Sequence, residues 1–360
     1  MAIRSGTVVR AATVLTPAGP VEEAEVVVGG GVVAEIRPAA GPLDHPVLAP
    51  GFIDLQLNGI GGVDVSDARD GEWEALDRAV LAQGVTTWCP TLVSAPPDRL
   101  ARSLGRVAEA AARPAGSRPS IAGAHLEGPF LAVPGAHPPG FLRTPVDAGW
   151  LSGLGPLAVV TLSPEVPGAL DAVERLAAAG VLVALGHSAC TLEQAQAAAD
   201  AGARLVTHLG NAMGPFRPRQ PGLLGAALAD ERLAVSLIAD GVHVHPAFLR
   251  IAFRAKGARR TVLVTDAVAT GPGPPPHDPP RLDDGTLVGS VLSMDRALAT
   301  TVAAGVSLAD AVTAASTTPA ALLRLDDRGA IAPGRRADLV ALDHDLRVRG
   351  VWGAGREVSL

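Results

Sequence analysis

The stretch SIAGAHLEGPF, residues 120–130, runs from an apolar strand into a polar turn. Residues 120–124 have the composition of a buried strand, and His125 and Glu127 stand directly before the turn at Gly128 and Pro129. A carboxylate in that position is held rigidly and still reaches a pocket, which is where a parallel α/β barrel places its chemistry. Taken alone, the stretch fits a surface turn better, so a catalytic interpretation depends on finding partners for Glu127 elsewhere in the chain.

From residue 50 onwards, short apolar runs alternate with Ala-rich helical segments. Most of the runs are apolar throughout, as expected for strands covered on both faces. Helical spacing of apolar residues is found in residues 72–83, 98–112, 191–202 and 307–323. This alternation predicts an α/β fold, a TIM-like (β/α)8 barrel rather than an open sheet. The eight predicted strands are residues 51–57, 85–93, 120–126, 157–162, 181–185, 204–206, 234–239 and 261–264.

Both ends of the chain have β character. Residues 7–15 are rich in β-branched side chains, and two Val-rich runs within residues 22–36 flank three glycines, which indicates a hairpin. β-like runs return near the C-terminus. We therefore expect residues 1–49 and 330–360 to form one small β-sandwich domain beside a barrel spanning 50–329. Residues 271–280 should form a stiff, proline-rich loop on the barrel rim.

The composition excludes several classes of function. The 360 residues carry a net charge of −6, with 3% aromatic residues and no Tyr, which argues against nucleic-acid or anionic-membrane partners. Two cysteines, Cys89 and Cys190, cannot define a disulfide framework. The sequence has no long apolar N-terminal region and no run of 18 apolar residues. We expect a soluble cytoplasmic protein.

Polar groups stand at the C-terminal ends of six of the eight predicted strands. In a barrel these ends converge on one mouth, so we expect these side chains to share a pocket. They are Gln56, Asn58, His125, Glu127, His187, Ser188, His208, Asn211, Asp240, His243, Thr265 and Asp266.

Glu127, His187 and His208 suit a divalent metal ion, since two imidazoles and a carboxylate form a common hydrolytic site with open positions. A single buried histidine is more often part of the core, and the metal interpretation rests on the three occurring together. Asp266 could serve as general base, or merely cap a following helix. His243 could polarise a carbonyl oxygen. His245 fits better as a solvated loop residue.

Two further groups leave alternatives open. Arg217 and Arg219 lie in a proline-rich segment, where they could clamp a phosphate or carboxylate, or could simply be solvated. Cys190 follows His187 closely, but no base stands beside it in sequence, so we interpret it as structural.

Together, these stretches resemble the N-acetylglucosamine-6-phosphate deacetylase family of the amidohydrolase superfamily. The resemblance covers nearly the whole chain, and its tail, residues 329–340, is generic to the superfamily. The motifs that carry it are PGFIDLQLNG (50–59), HLEGPF (125–130), GHS (186–188), THLGNAM (207–213), ADGVH (239–243) and VTDA (264–267).

The resemblance implies that Glu127, His187 and His208 are the metal ligands and Asp266 the general base and acid. His243 would polarise the carbonyl and contact substrate. The sugar phosphate would be held by His137, Asn211, Ala212 and Arg219. The implied reaction is deacetylation of N-acetyl-D-glucosamine 6-phosphate to glucosamine 6-phosphate and acetate by metal-bound hydroxide.

Many amidohydrolases carry His-x-His at the first strand, where this chain has Gln56 and Asn58. Amides are poor ligands beside imidazoles, so we expect a single divalent ion of the Zn or Fe/Mn/Co type. The resemblance also implies a homodimer. The alternatives are another amide hydrolase, acting on a different N-acyl sugar, a cyclic amide or an isoaspartyl peptide, and a non-catalytic sugar-phosphate-binding relative. For His125 we expect a supporting role only.

Overall fold

A computed structural model describes residues 7–114, 118–270 and 278–359. The strands, in chain order, are β1 (Val8–Thr16), β2 (Gly19–Gly29), β3 (Val32–Pro38), β4 (His45–Pro50), β5 (Phe52–Leu57), β6 (Gly59–Ile60), β7 (Val63–Asp64), β8 (Val85–Leu92), β9 (Ser120–Ile121), β10 (Ala124–Glu127), β11 (Leu157–Leu162), β12 (Leu182–Leu185), β13 (Leu205–Val206), β14 (Ala234–Ile238), β15 (Thr261–Val264), β16 (Leu339–Leu342), β17 (Val348–Gly353) and β18 (Arg356–Val358). The α-helices are α1 (Gly71–Ala82), α2 (Pro97–Ala112), α3 (Ala148–Gly153), α4 (Ala169–Ala178), α5 (Leu192–Ala201), α6 (Gly222–Ala229), α7 (Pro246–Lys256), α8 (Met294–Ala303), α9 (Leu308–Val312) and α10 (Thr318–Leu322).

Eight parallel strands form the barrel, in the order β5, β8, β10, β11, β12, β13, β14 and β15. The first and last strands meet where Asp266 N donates to Gln56 O and Asn58 N donates to Ala267 O, each at 2.8 Å. The barrel strands are buried almost throughout, which explains their continuous apolar runs. The predicted (β/α)8 barrel is confirmed.

The third predicted strand differs from the structure in one respect. Residues 120–126 are divided into β9, which pairs only with β8, and β10, which lies between β8 and β11. The break falls at Gly123, whose φ of +133° is open to glycine and strained for other residues. A Cβ there would also lie 2.9 Å from the Ala158 side chain, so only glycine lets the chain pass.

Helices cover the outside of the barrel. The predicted start of α5 is confirmed, with Thr191 and Gln194 forming a capping box and Gly202 following the last turn. The helical segment predicted for residues 307–323 consists of α9, a π-helical turn at Thr313–Thr317 and α10.

Strands from both chain ends form one seven-stranded sheet, in the order β18, β17, β16, β4, β1, β2 and β3. This confirms the separate β domain expected from the sequence. β4, which no sequence pattern singled out, pairs with β1 and β16 and continues directly into the first barrel strand. The seven-stranded sheet has a small hydrophobic core of its own, which contains Val26, Leu339 and Trp352.

The proline-rich rim loop falls mostly outside the described residues, since residues 271–277 are not among them. The segment that follows turns back over the barrel mouth, with Arg281 bridged to Leu287 and Ala267 to Ser290. Among the described residues, no helix is long and apolar enough to cross a membrane.

Candidate metal centre and active site

A cavity of about 540 Å³ opens at the C-terminal ends of the barrel strands. Its wall comes from the ends of β5, β8, β10, β12, β13, β14 and β15 and from the segments that follow them, so seven separate parts of the chain meet there. The polar residues that line it are Asn58, Asp64, Ser66, Glu127, His137, His187, His208, Asn211, His243, Asp266 and Thr286.

Glu127 lies at the centre of a cluster of buried histidines. Its Oε1 is 3.1 Å from His208 Nε2 and 3.5 Å from His187 Nε2, while its Oε2 is 3.5 Å from His137 Nε2. The Nε2 atoms of His187 and His208 are 3.1 Å apart. The structure therefore brings together the three residues predicted as metal ligands, and adds His137, which the resemblance assigned to substrate only.

This donor set fits a divalent transition metal. Glu127, His137 and His187 each offer a ligand atom within 4.8 Å of the others. Imidazole nitrogen and carboxylate oxygen are the ligands that zinc and similar ions take in hydrolytic sites. Burial would raise the pKa of Glu127, but its close contacts with the imidazoles of His137, His187 and His208 outweigh it and hold that pKa well below its usual value. The carboxylate is therefore ionised and ready to bind a cation.

The two histidines that follow β12 and β13 are fixed by their neighbours. His187 Nδ1 lies 2.9 Å from the carbonyl oxygen of Val133, to which it donates, and this leaves Nε2 free to face Glu127. The His187 carbonyl accepts from Ser163 Oγ at 2.7 Å. The His208 backbone N–H donates to Ser236 Oγ at 2.8 Å. These bonds fix the ring of His187 and the backbone of His208, and both Nε2 atoms lie within 3.5 Å of Glu127 Oε1.

Asp266 closes the last barrel strand and is buried beside the cluster. Burial, and then the negative charge of Glu127, raise the pKa of Asp266 to about 6. Its Oδ1 accepts from Asn58 Nδ2 at 2.8 Å and from Gln56 Nε2 at 3.1 Å. No described helix begins at Asp266, so it is not a helix cap. A carboxylate with this pKa can take and return a proton near neutral pH.

His243 lines the cavity and is oriented by Asp240, whose Oδ2 lies 2.7 Å from its Nδ1. Burial would raise the pKa of Asp240, but its bonds to His243 lower it, so Asp240 is a carboxylate. His245 lies outside the cavity, where its ring accepts from the Ala247 N–H at the start of α7. His125 is buried inside the barrel, bonded to Leu55 O and Thr161 Oγ1.

The predicted phosphate contacts divide into two groups. Asn211 and Ala212 line the cavity, whereas Arg219 is exposed and lines a different cavity of about 420 Å³ together with Arg217 and Cys190. Within the single chain, then, the structure does not bring Arg219 to the site. Burial raises the pKa of the Cys190 thiol to about 11, in keeping with a structural cysteine.

Some cavity residues carried no recognisable pattern in the sequence. Asp64 and Ser66 reach the cavity from the short β6–β7 hairpin, and Val288 and Gly289 reach it from the segment beyond the rim loop. Neither segment looks like the end of a barrel strand. The β6–β7 hairpin does follow β5 directly, but Val288 and Gly289 lie far beyond β15 in sequence, and only the folded chain places them at the cavity.

Comparison with known proteins agrees with this geometry. Residues 47–358 match the family model described as amidohydrolase family. The chain belongs to the amidohydrolase family. It is 36% identical to N-acetylgalactosamine-6-phosphate deacetylase of Escherichia coli O157:H7, over 98% of this chain and 99% of the relative. It is 39% identical to N-acetylglucosamine-6-phosphate deacetylase of Danio rerio, over 88% of this chain and 85% of the relative.

A solved structure resembles the whole molecule. A mutant of N-acetyl-D-glucosamine-6-phosphate deacetylase from Mycobacterium smegmatis, in complex with N-acetyl-D-glucosamine-6-phosphate, superposes with a TM-score of 0.89 at 36% identity, covering 99% of this chain and all of that one. The amidohydrolase assignment therefore applies to the barrel and the terminal sheet alike.

Proposed function

We propose that the protein hydrolyses the acetamide of an N-acetyl amino sugar 6-phosphate, with N-acetyl-D-glucosamine 6-phosphate as substrate and glucosamine 6-phosphate and acetate as products. The observation that carries the proposal is the pairing of the Glu127 histidine cluster with Asp266 in one cavity. The deacetylases of similar sequence and fold support the substrate class. Because some of these relatives are named for the glucosamine sugar and others for its galactosamine epimer, N-acetyl-D-galactosamine 6-phosphate is the second substrate to test.

Glu127, His187 and His208 would hold one divalent ion, with His137 beside them. Such an ion, when bound, lowers the pKa of water and polarises a carbonyl group. The metal could be zinc or an ion of the iron, manganese or cobalt type. Gln56 and Asn58 stand where other amidohydrolases bind a second ion, and their side chains are bonded to carboxylates of this chain instead.

Asp266 performs the proton transfers. Its Oδ1 is occupied by two amide donors, so Oδ2 accepts the proton of the attacking water while the C–O bond forms. The same oxygen then delivers that proton to the sugar nitrogen as the C–N bond breaks. Acetic acid and a free amine leave the site, and the acid then releases the second proton of the water to become acetate. The proton is conserved, and Asp266 returns to its ionised form.

His243 faces the substrate in one of two roles. Because Asp240 accepts from Nδ1, Nε2 donates to the carbonyl oxygen only when the imidazole is protonated. In the neutral ring, Nε2 instead accepts from a sugar hydroxyl. Asn211 and the Ala212 backbone would hold the phosphate.

The described residues that line the cavity include no Arg or Lys. Phosphate binding is therefore assigned to Asn211 and the Ala212 backbone, and comparing N-acetylglucosamine with its 6-phosphate measures what this contact contributes. The homodimer and action in the cytoplasm are also proposals, and light scattering of the purified protein tests the former.

The decisive experiment measures acetate release from N-acetylglucosamine, its 6-phosphate and the galactosamine epimer, after chelation and after adding back Zn²⁺, Fe²⁺, Mn²⁺ or Co²⁺. We expect activity only with added metal, and fastest on a 6-phosphate. No acetate from any of these sugars, with turnover of a cyclic amide or an isoaspartyl dipeptide, would identify a different amide hydrolase. Absence of bound metal together with tight sugar-phosphate binding would identify a binding protein.

A further inference from the structure

Gln56 connects the two carboxylates of the site. We propose that it is a positioning residue, whose side-chain amide holds Glu127 and Asp266 in their working orientation and is itself oriented by Thr207. The inference rests on the proposed function, since it assigns a role within that reaction. From the sequence alone, the Gln56 amide could be recognised only as a poor metal ligand.

Every polar group of the Gln56 side chain is used. Its Nε2 donates to Glu127 Oε1 at 3.0 Å and to Asp266 Oδ1 at 3.1 Å. Its Oε1 accepts from Thr207 Oγ1 at 2.8 Å. Gln56 is only 1% exposed, so water cannot replace any of these partners.

Thr207 determines which way the amide faces. If the amide were turned over, its oxygen would lie about 3 Å from two carboxylate oxygens, and the Thr207 hydroxyl would lose its acceptor. With the observed orientation, one neutral group supplies a donor to each of two anions. This offsets part of their mutual repulsion without adding a charge to the site.

The arrangement also selects the oxygen that reacts. Because Gln56 and Asn58 both donate to Asp266 Oδ1, the carboxylate cannot rotate without losing two hydrogen bonds, and Oδ2 stays directed away from them. Asn211 and Ala212, which would hold the sugar phosphate, have no hydrogen bond to Gln56. A loosened amide should therefore lower kcat and leave KM nearly unchanged.

Thr207→Val tests the inference, because it removes the hydroxyl and keeps the shape. Thr261→Val is the matched control, since Thr261 is equally buried at the opposite end of a barrel strand and donates to Gly257 O at 3.0 Å. Both variants lose one buried hydrogen bond and should lose similar stability against urea. Thr207→Ser retains the donor, and Gln56→Met removes the amide itself.

We expect Thr207→Val to lower kcat by about tenfold with KM within about twofold, and Gln56→Met to lower kcat by about 100-fold, since bonds to charged groups are being lost. Thr207→Ser should recover most of the loss, and Thr261→Val should keep the wild-type kcat. Because Gln56 also holds Glu127, zinc affinity measured by chelator competition should be weaker in Thr207→Val than in Thr261→Val.

Equal kcat in Thr207→Val and Thr261→Val would overturn the inference, as would a change confined to KM. These results differ from a failure of the proposed function, in which the wild-type protein itself releases no acetate. In that case, the comparison of zinc affinities still decides whether Thr207 orients the amide that holds Glu127.

Discussion

Asp266→Asn changes a single charge in the proposed site and nearly preserves its shape. The asparagine oxygen can keep accepting from Gln56 Nε2 and Asn58 Nδ2, as Oδ1 of Asp266 does. Its amide nitrogen then occupies the place of Oδ2 and can neither take up nor return a proton. Glu127, His187 and His208 do not depend on Asp266 for their hydrogen bonds to one another. Metal content should therefore remain close to that of the wild type.

Loss of the proton-transfer group should lower kcat by about 10²- to 10⁴-fold, which corresponds to about 3 to 5 kcal/mol of transition-state stabilisation. KM should change little, because Asp266 acts on the reacting bond and is not among the residues proposed to hold the sugar phosphate. Acetate release at saturating substrate, with metal content measured on the same samples, gives both quantities.

The same substitution should raise stability in alkaline solution. Burial, and then the charge of Glu127, raise the pKa of Asp266 from 3.8 to about 6. The native state therefore binds this proton more tightly than the unfolded state does. Proton binding by Asp266 therefore stabilises the native state fully below pH 3.8, and this stabilisation is lost as pH rises through about 6. A difference of about 2 pKa units corresponds to about 3 kcal/mol, which is the expected gain for metal-free Asp266→Asn at pH 8.

Urea unfolding of chelated protein at pH 4 and pH 8 measures this gain. The difference in free energy of unfolding between the variant and the wild type should be near zero at pH 4 and reach up to about 3 kcal/mol at pH 8. Wild-type activity in Asp266→Asn would refute the mechanism. A stability difference that is the same at both pH values would refute the electrostatic account of Asp266, whatever the activity.

Three further results are expected. The kcat/KM of the wild type should fall in acidic solution, because Asp266 must be ionised to accept a proton, and this acid limb should be missing from the residual activity of Asp266→Asn. His187→Ala should weaken zinc binding by at least about 100-fold in a chelator competition, whereas His245→Ala, outside the cavity, should bind zinc like the wild type. Gly186→Ala would place a Cβ 2.3 Å from Thr207 Cγ2, so urea unfolding should show a loss of about 1–3 kcal/mol.

The barrel could be predicted from the sequence because its strands are buried on both faces. Residues 157–162 and 261–264 are continuous apolar runs, and the observed β11 and β15 have the same bounds. β4 could not be found in this way. It is paired through contacts between chain ends that are far apart in sequence, and its own residues include two prolines. Strand pairing of this kind is decided by tertiary contacts rather than by local pattern.

The site was predictable to the extent that its residues close barrel strands. Glu127, His187, His208 and Asp266 all follow apolar runs, and the fold brings the ends of those runs together. The side-chain connections are different, because a hydrogen bond between Gln56 and Asp266 spans 210 positions and leaves no local trace. The position of His137 could not be predicted from local sequence either. It lies in an irregular segment, and only the folded chain places its Nε2 3.5 Å from Glu127.

The backbone at the site suggests why these positions need so much support. His187, His208 and Asp266 have φ values of +50°, +28° and +48°, in the left-handed region that favours glycine. Such strain costs about 1–3 kcal/mol per residue and persists only where the surroundings enforce it. Here a buried serine enforces each one. Ser163 donates to the His187 carbonyl, Ser236 accepts from the His208 N–H, and the Ser290 N–H donates to the Asp266 carbonyl. Glycine would relieve the strain but would remove the side chain, so the protein keeps the functional group and fixes its backbone from the neighbouring segments.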